Sequence, residues 1–238
     1  MLEIKRLIYI FSFFTFYFMS KDCNAQKINL LDSNNKRTGA WKKYHSNKKI
    51  RYTGQFKDGK ELGVFKFYDI TTSRKPILIK TFYENSDSLF VQFYDLNGNL
   101  KTEGVLNERK RVGFWKYFYK NGAVMSQENY KNGLRHGEQF VFYSNGKITE
   151  RSLFKNSLLD GISSKYSSKG ILIEEVAYKK GKPNGLAKYF ELNGALKETG
   201  IYIDGKRVGK WEYYMDGEIL TDDEKKKNKA TFRRKKEN

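Results

Sequence analysis

The chain has 238 residues, with 46 Lys and Arg against 27 Asp and Glu, and a formal net charge of +19. Its single cysteine excludes a disulfide framework within the chain, so stability has to come from apolar packing and backbone hydrogen bonds. The 2 histidines stand in separate repeats and no H-x-x-H, C-x-x-C or paired acidic cluster occurs, which leaves a dedicated transition-metal site without ligands.

Residues 1–25 read as a signal peptide. Lys5 and Arg6 precede an apolar run from Leu7 to Met19, and Cys23-Asn24-Ala25 puts small residues where a signal peptidase cuts. The run of 13 falls short of the roughly 20 residues that a spanning helix needs. Lipid attachment at Cys23 would need small residues before it, and Lys21 and Asp22 stand there. Cleavage after Ala25 would leave Gln26 first and remove the only cysteine. The expectation is an exported protein of the periplasm, cell envelope or extracellular space. Residues 26–38 then form a lead-in or cap.

From residue 39 to 221 the chain repeats. Aromatic residues at Tyr44, Tyr68, Tyr94, Phe118, Phe142, Tyr166, Phe190 and Tyr214 follow a register point by five positions, with a step of 24 residues everywhere but once. The register point is Gly39, Gly63, Gly113, Gly137, Gly161, Gly185 or Gly209, and Leu89 takes its place in the third copy, two residues late because of an insertion around Thr71 to Pro76. Apolar residues recur eleven positions on, from Ile50 to Leu220, and seventeen positions on, from Phe56 to Tyr202. Asn97-Gly98, Asn121-Gly122, Asn145-Gly146, Asn193-Gly194 and Asp216-Gly217 separate the two apolar segments and predict type I′ hairpins, which need positive φ twice. A second turn, such as Asp58-Gly59 or Asn132-Gly133, closes each unit.

Strand, turn, strand, turn, eight times over, predicts an all-β fold: an elongated antiparallel meander of about eight hairpins and sixteen strands. Aromatics fall on both sides of single strands, as at Trp115, Tyr117 and Phe118, so a lone hairpin cannot hide them and each unit must lean on its neighbours. The register glycine serves either the close approach of a neighbouring ring or backbone, or a bulge that bends the strand. Residues 222–238, dense in lysine and arginine and without the period, read as a disordered basic tail.

The turns and strands around Asp58-Gly59-Lys60-Glu61-Leu62-Gly63, Asn132-Gly133-Leu134-Arg135-His136-Gly137 and Asp204-Gly205-Lys206-Arg207-Val208-Gly209-Lys210-Trp211 resemble the N-G-K-x-x-G-x-W core of the MORN repeat in its bacterial variant form. The resemblance runs from about Gly39 to Leu220, with departures at Leu89, Ser163 and Lys165. It implies a binding or scaffold protein rather than a catalyst. Bacterial proteins with similar repeats are often named as antitoxin components of toxin and antitoxin systems, which implies a toxin as an alternative partner.

The basic excess should attract acidic proteins, acidic glycans or anionic lipid headgroups, and so permits peripheral membrane association. Lysines on turns and edges also keep a long ribbon from aggregating. No nucleic acid is expected, since no reader motif is present. The candidate partner-binding residues are Trp41, Trp115 and Trp211, read as exposed aromatics near the register glycines, with Lys116 and Lys210 beside them. No catalytic residue and no cofactor is expected: Ser46-x-x-Lys49, Ser144-x-x-Lys147 and Ser152-x-x-Lys155 fit S-x-x-K only in hairpins, away from a helix start.

Overall fold

The computed structural model describes residues 27–221 and residue 223; the segment read as a leader, and the basic tail apart from Asp223, lie outside the described residues. A short β1 (Leu30–Leu31) is followed by eight strand pairs: β2 (Arg37–Tyr44) with β3 (Ile50–Lys57), β4 (Lys60–Phe67) with β5 (Leu78–Phe82), β6 (Ser88–Tyr94) with β7 (Leu100–Asn107), and β8 (Lys110–Phe118) with β9 (Val124–Lys131). Then come β10 (Leu134–Phe142) with β11 (Ile148–Lys155), β12 (Leu158–Tyr166) with β13 (Leu172–Lys179), β14 (Lys182–Phe190) with β15 (Leu196–Ile203), and β16 (Lys206–Met215) with β17 (Glu218–Ile219). Each strand pairs antiparallel with the strands before and after it in sequence, from β1–β2 through β16–β17, which makes one open meander. The sixteen repeat strands are those the periodicity predicts, and the lead-in adds β1, whose Leu30 pairs with Thr38.

The register glycines make bulges. Between β7 and β8, Val105 pairs with Val112 and Glu103 with Lys116, so one residue on β7, Gly104, opposes three on β8, Gly113 to Trp115. Gly113, inside that stretch, has φ 63°, which a residue with a Cβ adopts only at a cost. The third copy supplies the control: where Leu89 replaces glycine, β5 and β6 pair from Leu78↔Phe93 to Phe82↔Leu89 without a shift.

Turn chemistry departs from the sequence reading. At Asn121-Gly122 only the glycine has positive φ, at 84°; Gly122 N–H donates to Tyr119 O at 3.0 Å and Tyr119 N–H to Ala123 O at 2.9 Å. That is a three-residue loop with a type I turn and a glycine bulge, and Asn121 Oδ1 holds it by accepting from Ala123 N–H at 3.0 Å. Of the pairs predicted as type I′, Asp216-Gly217 alone has positive φ at both residues, 50° and 87°. The two-residue, twice-positive geometry belongs instead to the turns that close the units, including Glu108-Arg109 at φ 47° and 67° and Asn156-Ser157 at φ 51° and 67°. Because an L-residue pays roughly 1–2 kcal/mol in this region, Arg109→Gly is expected to raise the denaturation midpoint by the equivalent of about 1 kcal/mol, measurable by urea titration.

The insertion that delays the third copy, between β4 and β5, folds onto the preceding turn. Asn47 Nδ2 donates to Ile70 O at 2.8 Å, Ile50 N–H to Ser73 Oγ at 3.0 Å, and Lys49 Nζ to Thr71 O. Similar stitches join the same edge elsewhere: Tyr119 Oη donates to Phe142 O at 2.7 Å and Tyr143 Oη to Tyr166 O at 2.9 Å. The first, fourth and fifth units thus satisfy carbonyls of the next.

Candidate binding surface

Alternation along the strands sorts the side chains onto two faces. On the first, here the ring face, a single row crosses the ribbon. It runs through Trp41↔Gly54, Val91↔Gly104, Ser163↔Val176 and Ala187↔Gly200, all direct partners, with Phe65, Trp115, Ser152 and Trp211 in the places between. Every second residue of that row sits two positions after a register glycine, and the others fifteen after it.

This row explains how one layer of sheet buries large rings. Phe65 and Trp115 are each 1% exposed although no second sheet lies over them. Trp115 lies flat on Gly104, where a Cβ would come within 2.4 Å of the indole; Phe65 lies on Gly54 and Trp211 on Gly200 in the same way, at 2.4 and 2.2 Å. Above the ring stands an arginine. The Arg111 guanidinium is 4.6 Å from the Trp115 centroid, Arg207 is 4.0 Å from Trp211, and Arg37 is 5.0 Å from Trp41. Glycine below and guanidinium above replace the second layer.

Hydrogen bonds fix these lids. Arg111 Nη1 donates to Tyr117 Oη at 2.8 Å and Tyr130 Oη at 3.1 Å, and Trp115 Nε1 donates to Val105 O at 3.1 Å. Arg207 pairs with Glu198 and donates to Tyr213 Oη at 3.3 Å. Midway along the row rings give way to polar packing, where Ser152 Oγ and Ser163 Oγ share a hydrogen bond at 2.9 Å and Ser152 donates to Glu150 at 2.5 Å.

Burial, with Tyr130 and Glu128 beside it, pushes the Tyr117 phenol well above the usual range, and burial with the Tyr202 hydroxyl does the same to Tyr189. In the unfolded chain both phenols ionise near pH 10. A raised folded value means that their contribution is complete below about pH 10 and is lost as the pH climbs above it. The urea midpoint is expected to stay level from pH 8 to 9.5 and to fall above 10, with a shallower fall in Tyr117→Phe; an equal slope in that variant would contradict the assignment.

The predicted partner-binding residues are not brought together. Trp115 and Trp211 are buried, at 1% and 7% exposure, so the expectation that they project as exposed aromatics is corrected: they are the packed centres of their units. Trp41 is half-buried, its Nε1 donating to Leu30 O and Thr38 O at 3.1 Å each. Lys116 and Lys210 are exposed but stand at odd positions after the glycine, on the opposite face. Sequence reasoning missed the arginine lids, although the spacing Arg37 to Trp41, Arg111 to Trp115 and Arg207 to Trp211 is a constant four residues.

It also missed the opposite, open face. One position after each register glycine stands a residue that pairs with the residue sixteen after it: Phe90↔Val105, Phe114↔Asn129, Glu138↔Leu153, Ile162↔Ala177 and Leu186↔Ile201. These side chains form a second row, and it is uncovered. Phe114 and Ile162 are 56% exposed and Leu186 is 46% exposed.

The family profile of the MORN repeat variant matches residues 37–58, 111–132 and 135–156. Three segments of the chain match the MORN repeat variant. Each matched MORN segment begins on an arginine that caps a ring: Arg37 over Trp41, Arg111 over Trp115, and Arg135 at 4.2 Å from the Phe154 centroid. The same strand-pair arrangement recurs in all eight copies. No curated protein matches this MORN-repeat chain. Among solved structures, a mutant of S. aureus TarM in complex with fondaparinux, alpha-GlcNAc-glycerol and UDP is similar over 40% of this chain and 19% of its own, at 19% identity and a TM-score of 0.29. The GtfA/B complex is similar over 39% of this chain and 19% of its own, at 9% identity and a TM-score of 0.28. Neither likeness bears on what the MORN ribbon does.

Proposed function

We propose that this protein is an exported, non-enzymatic module that binds or scaffolds a macromolecular partner. MORN repeats generally serve in that way, and the observation that carries the reading here is the uncovered apolar run from Leu153 to Ile201 on the open face. A soluble surface scatters large apolar residues singly, whereas a contiguous row marks a place of contact. On the ring face, by contrast, polar and charged groups are spent on one another: the guanidinium lids on rings and phenols, the serines on each other. Among the described residues, no cluster of three or more His, Cys, Asp and Glu could hold a metal ion.

Export rests on the leader reading of residues 1–25, and binding on the surface of the repeats. Crosslinking in the cells that make the protein, followed by mass spectrometry, tests both. The expected result is a chain that starts at Gln26 in an exported fraction and one partner present in stoichiometric amount. An intact Met1 in the cytosol would overturn export, and recovery of the uncrosslinked chain alone would overturn binding.

A further inference from the structure

The edge of the ribbon where the type I′ turns stack carries a run of lysines, with Asp58, Glu108 and Asp204 in three of the turns and Asp160 accepting from Lys180 N–H at 3.2 Å. The residues flanking those turns pair as Lys57↔Lys60, Asn107↔Lys110, Lys131↔Leu134, Lys155↔Leu158, Lys179↔Lys182 and Ile203↔Lys206. Twice the partners directly opposite are two lysines, which the sheet bears at a cost, since like charges across a strand pair destabilise it. Lys57 is relieved by Glu84 at 2.7 Å. Lys131, Lys155, Lys179, Lys182 and Lys206 have no ion pair among the described residues. From β9 to β14 the turns themselves, Asn132-Gly133, Asn156-Ser157 and Lys180-Gly181, carry no carboxylate, and the lysines outnumber the one acid beside them, Asp160, so this stretch of edge favours an acidic partner.

That row and the apolar row share the open face. Eighteen positions after the register glycine falls on the same side of the pleat as sixteen, so Lys155 and Lys179 project beside Leu153 and Ala177. Leu134, Leu158 and Ile203, exposed by 46%, 49% and 53%, interleave with the lysines at the edge itself. From β11 to β15 the open face is therefore an apolar stripe, Leu153 to Ile201, bordered by a basic edge; Glu138 on β10 and Lys210 on β16 end the apolar stretch.

Spacing selects the occupant. Successive copies are two strands apart, about 10 Å along the ribbon. Two turns of α-helix advance about 10.5 Å in seven residues, so an amphipathic helix laid along the ribbon axis presents equivalent residues to equivalent copies. A paired strand repeats its side chains every 6–7 Å and drifts out of step. A planar lipid surface fits worse still: neighbouring strands turn by about 20° each, so five strands carry the stripe through about 80°, and a flat surface can meet only part of it. A second copy of this chain would set lysine row against lysine row.

We infer that the open face from β11 to β15 binds an acidic amphipathic helix of a partner protein, its apolar stripe on Leu153, Ile162, Leu186 and Ile201 and its carboxylates toward Lys155, Lys179 and Lys182. This rests on the binding-module reading and adds the surface and the chemistry of the ligand.

The test uses the full mature chain and a fluorescent 28-residue helical peptide with leucine on one stripe and glutamate on its flanks. Binding should be saturable, and weaker by tenfold or more in Ile162→Ser/Leu186→Ser and in Lys155→Glu/Lys179→Glu. Both variants change exposed residues, so their melting temperatures should stay within about 3 °C of the parent. Equal affinity for polyglutamate would reduce the surface to a polyanion site and overturn the inference, as would unchanged binding in both variants. Binding of phosphatidylglycerol vesicles that the same variants abolish, without peptide binding, would assign the surface to lipid instead. If the crosslinked partner persists in both variants, the site assignment fails while the binding-module reading stands.

Discussion

Gly104→Ala is expected to destabilise the protein by about 3 kcal/mol, more than its one added methyl suggests. A Cβ at that position would lie 2.4 Å from Trp115 Cδ2 and 2.5 Å from Cε2, inside any tolerable contact. Nor can the indole simply lift away. Arg111 covers it at 4.6 Å, and Nε1 is tied to Val105 O at 3.1 Å. Relief therefore means breaking the lid and exposing a ring that is now 1% exposed. At about 2–4 °C per kcal/mol for a chain of this size, the melting temperature should drop by roughly 6–12 °C. Trp115→Ala removes the ring and should cost about 3–5 kcal/mol. Combining the two should cost no more than Trp115→Ala alone, a coupling of about 2 kcal/mol or more. Simple additivity would show that the glycine matters for another reason.

Arg111→Lys is expected to cost about 2 kcal/mol despite keeping the charge. The guanidinium lies 4.6 Å from the Trp115 centroid and 5.3 Å from that of Tyr130 while reaching the hydroxyls of Tyr117 and Tyr130. Stacking on a plane and bonding sideways within it are things a flat group does at once; an ammonium on a flexible stem does one or the other. What is lost is a cation-ring contact of about 1–2 kcal/mol and satisfaction of two half-buried phenols. Denaturant titration reads the loss directly. A variant within about 0.5 kcal/mol of the parent would mean that charge alone holds the lid.

The period, the strands, their antiparallel succession and the turns' positions were legible because each is a column: the same kind of residue recurs every 24 positions. What did not show was complementarity between columns. Gly54, Gly104 and Gly200 occupy the fifteenth position in three copies, while Lys80, Glu128, Ser152 and Val176 hold it in others, so that column looks random until each member is set against the ring or small side chain it meets. Phe65 meets glycine, Ser163 meets serine, Ala187 meets valine: volume is conserved across the pair and not within the column. The tryptophans were misjudged for the same reason. A ring in an isolated strand looks exposed, and only the neighbouring glycine and the arginine four residues earlier make a pocket for it. The turn assignments erred because Asn-Gly suits both a type I′ turn and a type I turn with a glycine bulge, and loop length decides between them.

The central claim is that each hairpin is stable only through its siblings and that any sibling in phase will serve. Removing residues 137–160 deletes one period of 24 and sets Gly161 where Gly137 stood, so every column stays aligned; removing residues 137–156 deletes 20 and puts every later column out of phase. Urea unfolding of the two variants, followed by tryptophan fluorescence, is the most direct measurement. The in-phase variant should keep a single cooperative transition with a modestly lower midpoint, and the out-of-phase variant should lose cooperative unfolding. Indistinguishable behaviour of the two, folded or unfolded, would contradict the account.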